Sequence, residues 1–241
     1  MPMSFRPLPA LSLVSAILLV ALVALGAWQL ERLRWKLALI DAVQKNMAAA
    51  PITLDEALTL GAGAAYHRVQ LEGRYDNARE SYVFGTGEAG DPVFHVIVPF
   101  RTTSGREVLI DRGIVPQVLR DPAARWRGLV AGRTTVVGVW RAPEPANPFA
   151  PNPDHSRHIW YSRDVFGMAK DRGIRLAASA VVEADATPNP GGWPKGGQTV
   201  VSFRNEHLQY AITWFLLAAG LVGVYFAYHV SRGRLTFSKQ I

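Results

Sequence analysis

Two uncharged apolar stretches, one near each end of the chain, limit what it can fold into more than any other feature. Leu8 to Leu30 carries no charge, and neither does Leu208 to Tyr228. A helix of about twenty residues, rising 1.5 Å per residue, crosses roughly 30 Å of hydrocarbon. It also satisfies its own backbone hydrogen bonds there, as a spanning segment must. The expected fold is therefore a membrane protein with two transmembrane α-helices flanking a mainly antiparallel β (α+β) extramembrane domain. The boundaries read as a lead of residues 1–7, a first span over 8–30, a domain over 31–206, a second span over 207–230 and a basic tail over 231–241.

The first stretch has one competing reading. Arg6 could head a signal peptide, with Ala24-Leu25-Gly26 as its cleavage site. The apolar run exceeds the usual length of a signal core, however. Helical patterning also continues through Trp28, Leu30, Leu33 and Leu37, which favours an anchor. Ser12, Ala16 and Ala24 in the first span, and Ala219, Gly223 and Ala227 in the second, recur at multiples of four. Small residues let helices approach closely in lipid, so these faces are expected to pair.

The chain carries 26 Lys and Arg against 19 Asp and Glu, a net charge of +7. Arg6, Arg232, Arg234 and Lys239 lie outside the spans with no acid beside them. Setting these four aside leaves 22 basic residues against 19 acidic ones, or +3. Most of the excess thus belongs to membrane flanks, where cationic tails mark the cytoplasmic side. Membrane lipids are the expected partner of this charge and nucleic acid is not, since no nucleic-acid-binding motif accompanies it. The basic tail puts both termini in the cytoplasm, although Arg32, Arg34 and Lys36 after the first span pull locally the other way. There is no Cys, so disulfides, thiolate metal sites and Cys nucleophiles are excluded.

Between the spans, Thr53 to Glu56 reads as a capping box opening a short helix. Arg68–Tyr75 alternates with period two, as a half-buried strand does. Ser81–Phe84, Thr134–Arg141 and Leu176–Glu183 read as further strands, and Ser162–Arg172 as a helix. Val93–Arg101 and Glu107–Val115 flank a Gly-containing turn and form a hairpin. Pro143, Pro145, Pro148, Pro151 and Pro153 make a stiff loop that a sheet interior cannot hold.

Chemistry-bearing motifs are few. No nucleophile elbow, phosphate-binding glycine loop, zinc-protease helix or dinucleotide fingerprint is present, and no enzyme activity is expected. His95 reads as a packed residue with a backbone partner. Asp111-Arg112-Gly113 follows a strand and reads as an ion pair and a turn, or as a functional edge. Asp111 and His95 would be the acid-base candidates of a membrane enzyme. His155 and His158 have a spacing that can place two imidazoles together, but the surrounding prolines argue against a helical metal site.

The mouth of the second span is more suggestive. His207, Ala211, Trp214 and Ala218 follow one another at four, three and four residues and share one helical stripe. His207 beside small Ala211 leaves room for a flat macrocycle, with Trp214 stacked on its edge and Tyr210 at the same mouth. Neutral imidazole is a good axial ligand for haem iron. An interfacial His bonded to a headgroup or to the domain is the plainer alternative, and on the residues alone it has the better claim.

The run Arg204-Asn205-Glu206-His207-Leu208-Gln209-Tyr210-Ala211-Ile212-Thr213-Trp214-Phe215 resembles the signature of the surfeit-locus family of cytochrome c oxidase assembly factors. Gly26-Ala27-Trp28-Gln29-Leu30-Glu31-Arg32, Gly73-Arg74-Tyr75-Asp76 and Asp111-Arg112-Gly113-Ile114-Val115-Pro116 stand in the family's order. The resemblance implies a two-span protein of the bacterial inner membrane, or the mitochondrial inner membrane in a eukaryote. It implies help in delivering haem a to the catalytic subunit of the oxidase, with that subunit and haem a synthase as partners. It also implies that His207 binds haem a, which matches the stripe reading of His207 as axial ligand with Tyr210, Ala211 and Trp214 beside it. The alternative is a membrane scaffold that stabilises an oxidase intermediate and binds no cofactor.

Overall fold

The computed structural model describes residues 3–87, 90–143, 149–199, 203 and 205–237. Pro145, Pro148, Arg204 and Lys239, named above, lie outside these. In chain order the elements are β1 (Met3–Phe5), α1 (Pro9–Ala48), α2 (Leu54–Leu60), β2 (Arg68–Tyr75), β3 (Ser81–Thr86), β4 (Pro92–Thr102) and β5 (Glu107–Pro116). There follow β6 (Thr134–Arg141), β7 (Ile159–Trp160), α3 (Val165–Asp171), β8 (Leu176–Ala184), α4 (His207–Ser231) and β9 (Leu235–Phe237). They group into two compact units, residues 1–42 with 202–241 and residues 43–201.

The first unit is a helix pair. α1 has 40 residues and α4 has 25, with mean hydropathies of 2.6 and 1.8 over their most apolar stretches, and both are long and apolar enough to cross a membrane. Most of their large apolar side chains are uncovered by protein, among them Val20, Leu216 and Val224. That is the surface a lipid-facing helix presents. β1 and β9 pair antiparallel, Ser4 opposite Thr236, so the two ends of the chain lie side by side.

The pairing face is polar at its ends and apolar between them. At one end the Ser12 and Tyr225 hydroxyls share a hydrogen bond of 2.6 Å. At the other, Gln29 meets His207 at 2.8 Å. Along either helix these clasps are separated by 17 or 18 residues, roughly 26 Å at 1.5 Å per residue. That interval is close to the thickness of a hydrocarbon core. Between them Gly26 lies against Phe215, and an added Cβ would come within 2.7 Å of the ring. Ala219, Gly223 and Ala227 are exposed, so the small-residue face expected to pair does not. The pairing residues are instead His207 and Tyr225, with the buried Ala211 and Ala218 on the same stripe.

The second unit is built on a seven-stranded sheet of order β2-β6-β8-β5-β4-β3-β7, with an additional β2–β4 pairing. That pairing closes β2, β6, β8, β5 and β4 into a ring. Closure needs Gly73, because a Cβ there would sit 2.1 Å from the Arg101 carbonyl oxygen. Inside the ring pack Leu71, Phe100, Val108, Ile110, Trp140 and Val182, with Leu54 and Ala57 of α2 packed among them. The predicted capping box starts α2: Glu56 N–H donates to the Thr53 side chain, and the Glu56 carboxylate accepts from Thr53 N–H at 2.7 Å. Neighbouring strands run antiparallel except for β5–β8 and β3–β7. The six strands read from the sequence fall within one or two residues of their expected bounds, while β1, β7 and β9 have no counterpart in that reading. α3 is shorter than the expected 162–172, because Asp164 caps it by accepting from Gly167 N–H at 2.9 Å.

Candidate functional site

At the mouth of the helix pair, His207 is the first residue of α4 and Gln29 lies on α1. The Nδ1···Oε1 separation is 2.8 Å. An amide oxygen can only accept, so Nδ1 donates, and in the neutral ring Nε2 keeps its lone pair. The hydrogen bond therefore fixes both the ring and the tautomer in the state that a ligating imidazole requires. An imidazole so held could take a haem iron at Nε2. Gln29 has no place in the sequence-based set, although a lone amide in an otherwise apolar span signals an interhelical partner.

The other candidates distribute differently from the expectation. Trp214 is half-buried on the same stripe and Tyr210 is 51% exposed on its flank. Ala211 and Ala218 are 1% and 5% exposed. Both lie on the stripe that His207 and Tyr225 tie to the first helix, so their small side chains serve close helix packing. The open slot expected beside Ala211 is filled. A macrocycle on His207 would lie toward Tyr210 and the edge of Trp214, on the uncovered flank.

In the second unit the structure joins two residues that the sequence leaves apart. β4 and β5 pair in regular register up to Ile97 opposite Asp111, then resume at His95 opposite Ile114. The extra residue makes a β-bulge, which re-aims side chains. It brings His95 Nδ1 to 2.9 Å from Asp111 Oδ2, so the partner of His95 is a buried carboxylate and not the expected backbone group. Asp111 Oδ1 accepts from Gly113 N–H at 2.9 Å. Arg163 lies 3.3 Å from Asp111 and 3.5 Å from Glu183, which stands opposite Asp111 on β8. Burial alone would push the Asp111 carboxyl up. The hydrogen bond and charge of His95, the Arg163 guanidinium and the Gly113 N–H outweigh it and hold the group below its ordinary value.

The rest of Asp111-Arg112-Gly113 is structural. Arg112 is buried over the Tyr75 ring at 4.5 Å, and donates to Gly128 O and Asn189 Oδ1 at 2.7 Å each. Gly113 has φ +105°, and a Cβ there would strike the Lys195 carbonyl oxygen at 1.9 Å. The motif thus forms the bulge and seats the segment around Lys195. His155 and His158 both bond Asp171, at 3.0 and 2.7 Å. His158 Nε2 accepts from Arg172 at 2.8 Å, leaving that ring no free lone pair. No group of three or more His, Asp or Glu that could hold a metal ion occurs among the described residues.

A family model described as the SURF1 family matches residues 16–219. The chain is 36% identical over 224 residues to a Takifugu rubripes protein named Surfeit locus protein 1, covering 86% of this chain and 92% of that one. The protein of the same name from Mus musculus is 34% identical over 223 residues, covering 86% and 72%. That from Homo sapiens is 32% identical over 219 residues, covering 84% and 72%.

Proposed function

The chain belongs to the SURF1 family, and on that premise we propose that it assists assembly of a haem–copper (cytochrome c) oxidase by holding haem a for delivery to the catalytic subunit. The protein acts as a carrier, not an enzyme. It sits in a bacterial inner membrane or its mitochondrial equivalent with both termini on the inner side, and the haem a synthase supplies its cargo. The observation that carries this reading is the His207–Gln29 hydrogen bond, which leaves Nε2 of an interfacial imidazole as an acceptor. Haem a would bring an iron with an open axial position and an apolar tail suited to lipid. His207 would hold the iron, while Tyr210 and Trp214 would line the porphyrin edge.

A carrier must release what it binds, and a single axial His at a lipid-facing flank favours release. The test is the absorption spectrum of protein purified from cells that make haem a. The parent shows a Soret band and His207→Ala diminishes it. Gln29→Leu, which removes only the acceptor for Nδ1–H, weakens binding by about 10- to 100-fold. A parent protein without a Soret band at saturating haem a supply overturns the reading.

The burial of Ala211 favours a second reading, a scaffold that stabilises an oxidase intermediate through helix and domain contacts alone. It predicts that co-purification with the catalytic subunit survives His207→Ala unchanged, and that no haem is recovered with either protein.

A further inference from the structure

The His95–Asp111 pair stands in the wall of a cleft in the second unit that the function above does not use. The cleft has a volume of about 600 Å³, and its wall is shared almost evenly between polar and apolar surface. Ligand sites of this size commonly hold cofactor-sized molecules.

Three observations define what would fit. The first is the imidazole. His95 Nδ1 faces the buried Asp111 carboxylate and donates to it, so in the neutral ring the lone pair lies at Nε2, on the opposite edge. A carboxylate behind a His is the arrangement that orients an imidazole for a metal and raises its basicity. Gly85, paired across the hairpin with Val93, leaves that edge accessible. A Cβ there would stand only 3.7 Å from Nε2, so a longer side chain would cover it.

The second observation is the cation. Lys195 lines the cleft with its Nζ 4.6 Å from the Trp193 ring centroid. An ammonium held on an aromatic face keeps unused donors for an anionic group. The third is the apolar part of the wall, from Trp193, Val93 and Ile114. A bare divalent cation matches none of this well. Among the described residues Asp91 is the only carboxylate lining the cleft, against Lys195 there and Arg163 behind His95. A ligand with a metal centre, a flat apolar body and peripheral carboxylates matches all three.

We propose that this cleft is a second porphyrin-binding site, in which His95 Nε2 ligates the iron and Lys195 pairs with a peripheral carboxylate. The proposal deepens the haem-handling function, on which it rests, by giving the chain two haem stations. One is at the helix mouth and the other is in the β-rich unit, with Asp111 as a positioning residue for the latter.

The test is titration of the full-length protein in detergent with haemin, read from the Soret band, with circular dichroism to check folding. The parent takes up two equivalents, and His95→Ala and His207→Ala take up one each. In the His207→Ala background, Gly85→Leu keeps the His95–Asp111 pair but covers Nε2, and it abolishes the remaining uptake. In that background Asp111→Asn weakens uptake about 10- to 100-fold. Haemin dimethyl ester, which lacks charged carboxylates, binds there more weakly than haemin, and Lys195→Ala removes the difference. Uptake by His207→Ala that is unaffected by adding His95→Ala or Gly85→Leu overturns the proposal, as does the absence of any uptake by His207→Ala. Loss of the His95 station alone leaves the helix-mouth reading standing. One equivalent bound by the parent, lost with His95→Ala and kept with His207→Ala, sinks the helix-mouth reading and keeps this one.

Discussion

The most exacting stability test of the second unit is its buried ion pair, Glu80 with Arg125, whose side chains are 2% and 1% exposed. The Arg125 guanidinium meets both Glu80 oxygens, Oε2 closely and Oε1 at 3.3 Å, and Nε donates to Leu119 O at 3.0 Å. Tyr82 OH donates to Glu80 Oε2 at 3.1 Å. Glu80→Ala therefore strands a buried guanidinium with little besides the Leu119 and Arg120 carbonyls, and leaves a buried hydroxyl without its acceptor. Breaking such a pair from one side costs about 3–5 kcal/mol. For a unit spanning residues 43–201, 1 kcal/mol moves the melting temperature by roughly 2–4 °C, so the expected fall is on the order of 6–20 °C. Differential scanning fluorimetry of the full chain in detergent reads it. Because the cost lies in the unpaired charge, Glu80→Ala with Arg125→Ala falls well short of the sum of the two single changes. A single-variant shift below about 2 °C, or full additivity, refutes the reasoning.

Gly73→Val puts a side chain onto the Arg101 carbonyl where β2 closes against β4. The backbone cannot give way there, so a loss of more than about 3 kcal/mol is expected, seen as failure to recover folded protein. Gly26→Ala displaces the Phe215 ring in the helix pair. It costs about 1–2 kcal/mol, since the ring can swing, and adding Phe215→Ala recovers part of the loss in thermal stability. Acid should destabilise the second unit through Asp111, Glu107 and Asp171, each held below its ordinary value in the folded chain. A depressed folded pKa contributes stability that is present above the unfolded value, near 4, and is lost as pH falls through the folded one. Melting temperature should drop steadily below about pH 4, and Asp111→Asn should flatten part of that drop.

Much of this fold is legible because its signals are local. The alternation of Arg68–Tyr75 and the turn between β4 and β5 each need only a few neighbouring residues, and the structure has them. Ring closure is not local. Gly73 shows its purpose only once Arg101 stands beside it, far along the chain. The same holds for Asp111-Arg112-Gly113. Each residue has a separate task, set by His95, by Tyr75 and by Lys195 in turn, and no spacing rule links those three.

The helix pair shows most clearly where pattern ends and packing begins. Periodicity groups His207, Ala211, Trp214 and Ala218, and Tyr225 follows seven residues on. Such a stripe can equally well line a cofactor slot or seat another helix. What decides is a polar residue on the opposite helix at each end: Gln29 for His207, Ser12 for Tyr225. An unpaired amide or hydroxyl is costly in hydrocarbon, so these two bonds fix the rotation of both helices about their axes. Once that rotation is fixed, Ala211 and Ala218 must face inward, and Ala219, Gly223 and Ala227 must face out. His207 escapes burial because it is the first residue of α4. Nδ1 is taken by Gln29, so a ligand at this His would meet the opposite edge of the ring.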